Sequence, residues 1–87
     1  MTSAFKGDLK LLLKQHKNVN LLQDVVNTLL RGDVLDSKYR DHALVGKWQG
    51  FRECHISPDW LLIYLKNENQ LILTLTRTGS HSNLLKK

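Results

Sequence analysis

The sequence predicts an α+β domain in which two antiparallel N-terminal helices pack on a small twisted antiparallel sheet. Three observations predict it: apolar residues recur with helical spacing up to residue 30, the period changes to two after residue 46, and short polar segments separate the apolar runs. A chain of 87 residues is long enough for one modest core. We therefore expect residues 1–87 to form a single domain.

Two amphipathic segments account for the helices. Apolar residues at i, i+4, i+7 and i+8 form one helical face in the first segment: Phe5, Leu9, Leu12 and Leu13. A similar face recurs in the second segment: Leu22, Val25, Val26, Leu29 and Leu30. The polar residues 15–20 separate the two, Asn20 is a cap-like start three residues before Gln23, and Gly32 marks the end of the second helix.

Three strands are predicted after a polar, loop-like segment from Asp33 to Gly46. Their predicted ranges are Trp48–Ile56, Trp60–Leu65 and Leu71–Arg77. Alternation along the first strand divides its side chains between two faces, with Phe51, Glu53 and His55 on one and Arg52, Cys54 and Ile56 on the other. The unbroken apolar runs of the other two strands predict burial on both faces or nearly so.

Charge and cysteine content limit the class of protein. Thirteen basic and eight acidic residues give a net charge of +5 and a pI near 9.6, which favours nucleic acid as the partner over an acidic protein or a membrane surface. A single cysteine, Cys54, allows no internal disulfide, and no signal peptide is visible, so a cytoplasmic protein is expected. The longest apolar run, Trp60–Leu65, is too short to span a bilayer.

A small set of residues outside the helices has the chemistry for a functional site. These residues are His42, His55, Asp59, Trp60, Arg77 and His81. Histidine transfers protons near neutral pH, aspartate accepts a proton or orients a histidine, and arginine stabilises a phosphate. Such a set suits cleavage of RNA through its own 2′-hydroxyl. The histidines lack metal-ligand spacing and Cys54 points away from His55, so neither a metal or other cofactor nor a Cys–His nucleophile is expected.

Each of these residues taken singly also has a structural interpretation. A histidine at a strand end is often a structural residue whose ring nitrogens are hydrogen-bonded within the fold. An aspartate after a proline is typical of a turn. Trp60 suits a core, and Arg77 suits a snorkelling position at a strand end. From the residues alone, a metal-independent ribonuclease and a non-catalytic RNA-binding module therefore both account for the sequence.

Two segments carry a more specific pattern, DHALVGKWQGFRECHISPDWLLIY at 41–64 and LTRTGSHSNLL at 75–85. With the helix pair before them, they resemble the YafQ branch of the RelE/ParE superfamily of bacterial toxins. The resemblance implies a RelE-like microbial ribonuclease fold and an endoribonuclease that cuts mRNA in the ribosomal A site without a cofactor. It also implies three partners: the ribosome, mRNA and a cognate antitoxin that wraps the toxin.

The resemblance assigns roles residue by residue. It implies five catalytic residues: His42, His55, Asp59, Arg77 and His81. His81 is the expected general acid and Arg77 the expected phosphate stabiliser, while the other three share the base and orienting roles. The implied RNA-binding residues are Trp60, Lys47, Arg52 and Leu85, the last at a position that is aromatic in the family.

A further expectation about the fold follows from the resemblance. The family has a strand before its first helix, and residues 1–4 are too few to form one, so this edge strand is expected to be missing. Two alternative functions also belong to the superfamily. One is a ParE-like toxin that poisons DNA gyrase by binding, and the other is a member that only binds RNA or an antitoxin.

Overall fold

The computed structural model describes residues 2–67, 72–80 and 84, and it contains the predicted α+β architecture. Two helices, α1 (Ser3–Lys14) and α2 (Val19–Leu30), come before four strands: β1 (His42–Ala43), β2 (Arg52–Ser57), β3 (Trp60–Asn67) and β4 (Ile72–Gly79). The strands form one antiparallel sheet in the order β1-β2-β3-β4. One-turn 3-10 helices at Ser37–Tyr39 and Gly46–Trp48 flank β1.

The ends of α2 test the predicted start and stop signals. Its N-cap is Asn18, whose side-chain oxygen accepts the Asn20 N–H at 3.1 Å. The predicted cap at Asn20 is therefore wrong by two residues, because Asn20 already lies inside the helix. The predicted stop is confirmed: Gly32 follows the last turn with φ 77° and donates its N–H to Leu29 O at 3.0 Å.

The core lies between the helices and one face of the sheet. The buried residues of this main cluster are Phe5, Leu12, Leu22, Val25, Leu29, Leu35, Cys54, Ile56, Trp60, Leu62 and Tyr64. A second, smaller cluster of Leu61, Ile63 and Leu84 covers the opposite face. Since Trp60 to Tyr64 are all buried, the predicted burial on both faces is confirmed for this part of the strand, but Leu65 is exposed. Residues 73–77 of β4, predicted to be similarly buried, are only half-buried.

The first part of the sheet differs from the prediction. The strand predicted from Trp48 begins only at Arg52, because Gly46 and Gly50 adopt positive φ values of 69° and 95° and turn the chain. Trp48 instead packs edge-on against Phe51, with ring centroids 5.5 Å apart. The chain before this turn, predicted as loop, contributes β1, so the sheet has four strands within the described residues where three were predicted.

The free edge of β4 is partly covered by the start of α1. No strand precedes α1 in the described part of the chain. Thr2 donates its N–H to Leu75 O at 3.1 Å and its hydroxyl to Thr76 O at 2.7 Å. Asp8 of α1 accepts the Thr78 N–H at 3.1 Å. Helix α1 thereby satisfies edge groups that an additional strand would otherwise pair. Neither helix, within the residues described, has the length and apolarity needed to cross a membrane.

Candidate active site

One row of cross-strand neighbours brings a histidine, an acid and an arginine to the same face of the sheet. His42 is paired with Glu53, Glu53 with Ile63, and Ile63 with Arg77, so the row spans all four strands. Directly opposed residues of neighbouring strands project to one face. This face carries the smaller apolar cluster and faces away from the main helix-packed core. With a strand spacing of about 4.8 Å, the row extends over roughly 14 Å.

Glu53 lies between two predicted catalytic histidines. Its Oε1 is 3.5 Å from His42 Nε2 and 3.6 Å from His55 Nε2, and the two imidazole ring centroids are 6.5 Å apart. Glu53 is only 4% exposed, whereas His42 is half exposed. The second carboxylate oxygen, Oε2, is buried and makes no hydrogen bond to any described residue. A buried carboxylate requires nearby positive charge or hydrogen-bond donors, and the two imidazoles are placed to supply them.

The orientation of His42 restricts where its proton can lie. Its Nδ1 is 2.6 Å from the carbonyl oxygen of Arg40. Because a carbonyl only accepts, Nδ1 carries a hydrogen in this contact, and Nε2 is left facing Glu53. In the neutral ring Nε2 has a lone pair and cannot donate to the Glu53 carboxylate. A hydrogen bond between the two residues therefore requires one additional proton, on either His42 or Glu53. His42 and Glu53 together can therefore take up and release a proton.

The chain next to His42 is anchored from the other face of the sheet. Asp41 accepts the Tyr64 hydroxyl at 2.5 Å and Arg52 Nε and Nη2 at 3.3 and 3.2 Å. The hydrogen bond to Asp41 raises the pKa of Arg52. Burial, reinforced by the bond to Asp41, raises the pKa of Tyr64. The guanidinium of Arg52 pairs with Asp41 on the face opposite Glu53, and its RNA-binding role stays a prediction.

Arg77, at the far end of the row, is oriented by helix α1. Its Nε and Nη2 donate to the Asp8 carboxylate at 2.7 and 3.0 Å, and this bond raises the pKa of Arg77. The side chain remains 32% exposed, and Nη1 makes no hydrogen bond to any described residue. Asp8 therefore fixes the plane of the guanidinium and leaves Nη1 available to a phosphate.

The HISPDW turn divides its predicted functional residues between different surroundings. Asp59 is exposed and lines a cleft of about 360 Å³ that also includes Lys17 and Ser80. It forms no hydrogen bond with His42 or His55 in the described part of the chain. Trp60 was predicted to stack on RNA, but its ring is 2% exposed and its Nε1 donates to Thr78 Oγ1 at 2.9 Å. Trp60 is a core residue in this conformation, which corrects that prediction.

The remaining predicted residues differ in how far the structure describes them. Lys47 is exposed on the one-turn helix whose Trp48 packs against the smaller apolar cluster, next to the face that carries Glu53. His81 and Leu85 lie outside the described residues, so their roles stay predictions. No group of three or more potential metal ligands occurs among residues 2–67, 72–80 and 84. Cys54 is buried, which raises the pKa of its thiol to about 12 and keeps it un-ionised at neutral pH.

Sequence reasoning placed Glu53 on the same face as His55 but gave it no role. The pattern E-x-H on a strand was the available signal, since residues two apart share a face. The position of His42 beside Glu53 was not visible, because it depends on a two-residue strand, β1, that periodicity cannot reveal.

Comparison with known proteins gives consistent matches over nearly the whole chain. Residues 1–86 match the family described as the bacterial toxin of type II toxin–antitoxin system, YafQ. The chain is 38% identical to the mRNA interferase toxin YafQ of Escherichia coli K12 over 84 residues, which cover 95% of this chain and 89% of that protein.

Two solved structures show the same fold. The E. coli DinJ–YafQ complex matches with a TM-score of 0.88 and 37% identity, covering 95% of this chain and 91% of the matched chain. A metal-bound toxin from Helicobacter pylori matches with a TM-score of 0.88 and 43% identity, covering 95% of this chain and 92% of that one.

Proposed function

The chain belongs to the YafQ family of type II toxins, and on this premise we propose that it is an endoribonuclease that cleaves mRNA on the ribosome. The observation that carries the proposal is the pair of histidines on the buried carboxylate of Glu53, in the row that ends at Arg77. This set supplies proton-transfer groups and a cation on one face of a rigid sheet, which is what phosphodiester cleavage requires. The E. coli relative is named as an mRNA interferase.

The proposed reaction is attack by the 2′-hydroxyl on the adjacent phosphorus. The O2′–P bond forms as the P–O5′ bond breaks, leaving a 2′,3′-cyclic phosphate and a free 5′-hydroxyl. A base removes the proton of the 2′-hydroxyl, and an acid delivers a proton to the departing O5′. His42, paired with Glu53, can accept the first proton, and His55 on the same carboxylate can share this role. His81, outside the described residues, is the proposed acid.

Arg77 is the proposed phosphate stabiliser. The crowded phosphorus of the transition state carries more negative charge on its oxygens than the ground state, so a fixed cation accelerates the reaction. Asp8 holds two of the guanidinium nitrogens and thereby pre-orients Arg77 before RNA binds. Asp59 does not contact Arg77 or Asp8. Any part that it takes in the reaction is therefore proposed to be through the cleft that it lines.

The proposed regulatory partner is an antitoxin protein that neutralises the toxin by wrapping it. Family membership supports this, because the family consists of toxins from type II toxin–antitoxin systems. The E. coli YafQ has been solved in complex with DinJ.

Primer extension on ribosome-bound mRNA tests the proposed function. We expect the wild type to cut the mRNA and His42→Ala, His55→Ala and His81→Ala each to cut roughly 10²–10⁴ times more slowly. His16→Asn is the matched control, because His16 lies in an exposed turn at φ 59°, a conformation that asparagine tolerates. Uncut mRNA with the wild type, together with inhibition of DNA gyrase supercoiling, would contradict the proposal.

The same assay tests the absence of a metal requirement. The H. pylori structure with bound metal makes this a necessary arm of the experiment. We expect protein treated with EDTA to cut at the normal rate after the magnesium needed by the ribosome is restored. Recovery of activity only with a transition metal would overturn the metal-independent mechanism and leave the nuclease activity itself in place.

A further inference from the structure

We propose that the groove beside His55 binds the RNA nucleotide next to the scissile phosphate, a step that rests on the proposed nuclease function. The groove lies between α2, the one-turn helix Ser37–Tyr39 and the end of β2, and it has a volume of about 500 Å³. Pockets for small ligands range from about 300 to 1,000 Å³, so one nucleotide fits. His55 lines the groove and also contacts Glu53, so the groove adjoins the proposed catalytic cluster.

The chemistry of the groove suits a nucleotide. Three consecutive residues on its wall, Lys38, Tyr39 and Arg40, alternate cation, aromatic ring and cation. Lys38 Nζ lies 5.1 Å from the centre of the Tyr39 ring. Single-stranded nucleic acid binds where cations follow the backbone and aromatic rings support the bases. Asp24 is the one acidic residue of the lining, so positive charge predominates.

Arg40 differs from the other three arginines of the chain. Arg31, Arg52 and Arg77 each form an ion pair with an aspartate. Arg40 is exposed, and its guanidinium makes no hydrogen bond or ion pair to any described residue. An arginine without a carboxylate partner, beside a proposed nuclease site, is available for bidentate binding of a phosphate.

Local hydrogen bonds hold this wall in place. Asp36 Oδ1 accepts the Lys38 N–H at 3.0 Å and starts the one-turn helix. Arg40 ends it at φ 51°, a left-handed conformation that turns its carbonyl oxygen toward His42 Nδ1. Arg40 thus has two contacts with the proposed site: its backbone carbonyl orients His42, and its side chain lines the groove. A nucleotide held there would lie next to His42, the proposed base.

The test measures binding of a fluorescein-labelled 2′-O-methyl RNA octamer, which cannot be cut through its 2′-oxygen. We expect Arg40→Gln and Lys38→Gln each to weaken binding about 10-fold, because each removes a charge-assisted contact to a phosphate. For a single strand, each lost phosphate contact should also reduce the slope of log K against log salt by about 0.7. A purely structural role would not change this slope. Arg31→Gln is the matched control and should leave affinity and slope unchanged.

Two results would overturn the inference. One is unchanged RNA affinity and salt slope in both groove variants. The other is unchanged RNA binding with weaker binding of the cognate antitoxin, which would assign the groove to an acidic protein segment. Failure of the nuclease function itself is distinguishable, because it appears as uncut ribosome-bound mRNA with the wild type, whereas octamer binding is measured without cleavage.

Discussion

The carboxylate of Glu53 is the residue on which the proposed chemistry depends most. It is buried, its Oε1 faces two imidazoles, and its Oε2 has no hydrogen-bond partner among the described residues. Such an arrangement is costly for folding, since a buried charge with incomplete hydrogen bonding loses hydration. Residues retained at a cost to stability are often functional. We interpret Glu53 as a positioning residue that orients both histidines and stabilises them when they are protonated.

Replacing Glu53 by glutamine tests this interpretation. Glu53→Gln keeps the shape and removes the charge, so we expect cleavage of ribosome-bound mRNA to slow about 100-fold and its pH–rate profile to change. The midpoint of thermal unfolding should not fall, because the variant no longer buries an incompletely paired charge. Asp33→Asn, which removes an exposed carboxylate, is the control. Normal activity in Glu53→Gln, or inactivity explained by unfolding, would contradict the assigned role.

The short strand β1 determines whether His42 reaches the proposed site. It contains only His42 and Ala43, and its pairing with β2 places His42 beside Glu53. So short a strand contributes few ladder hydrogen bonds of its own. The contacts of Asp41 with Arg52 and Tyr64 therefore act as its anchor, reaching the strand from the helix-packed side of the sheet.

Kinetics of an Arg52 variant separate anchoring from RNA binding. If Arg52 anchors β1, Arg52→Gln should lower kcat roughly 10- to 100-fold through a displaced His42, with little change in KM. Arg52→Lys should restore part of the rate, because lysine keeps the charge but loses the bidentate bond. Arg31→Gln, which breaks an exposed Arg–Asp pair, should behave like the wild type. A raised KM with unchanged kcat would instead support the role in RNA binding that the sequence predicted.

The elements also show where sequence-based prediction worked. Periodicity identified both helices and the three longer strands, because each buries or partly buries apolar side chains at a repeating interval. It placed the start of β2 four residues too early. The reason is that the apolar Trp48 packs against Phe51 and does not belong to the strand. It missed β1, which has two residues and an exposed pattern.

Across the whole molecule, the site could be predicted only in part, because ion pairing between distant residues is not visible in the sequence. The sequence identifies which side chains can carry charge, but not which of those charges are already compensated. The sequence alone does not distinguish Arg40 from Arg52 and Arg77. Of these three arginines, only Arg40 has no acidic partner among the described residues. Trp60 was a candidate for stacking because of its type, and only the tertiary fold shows that it is buried.

The charge of the whole molecule fits the proposed substrate. A net charge of +5 attracts the chain to RNA over distances that individual contacts cannot reach. Within that field, the face away from the main helix-packed core carries the row from His42 to Arg77, and the groove at Arg40 adjoins it through His55. We therefore propose that the molecule binds RNA in the groove at Arg40 and cuts it at the adjoining row.

Cleavage of ribosome-bound mRNA that carries a single 2′-deoxy substitution tests the proposed attack by the 2′-hydroxyl most directly. We expect deoxy substitution at the cleaved nucleotide to abolish cutting there, because the attacking nucleophile is absent. The same substitution one nucleotide away should leave the rate unchanged. Cutting at the normal position and rate despite the missing 2′-hydroxyl would contradict the proposed chemistry of His42, His55 and Glu53.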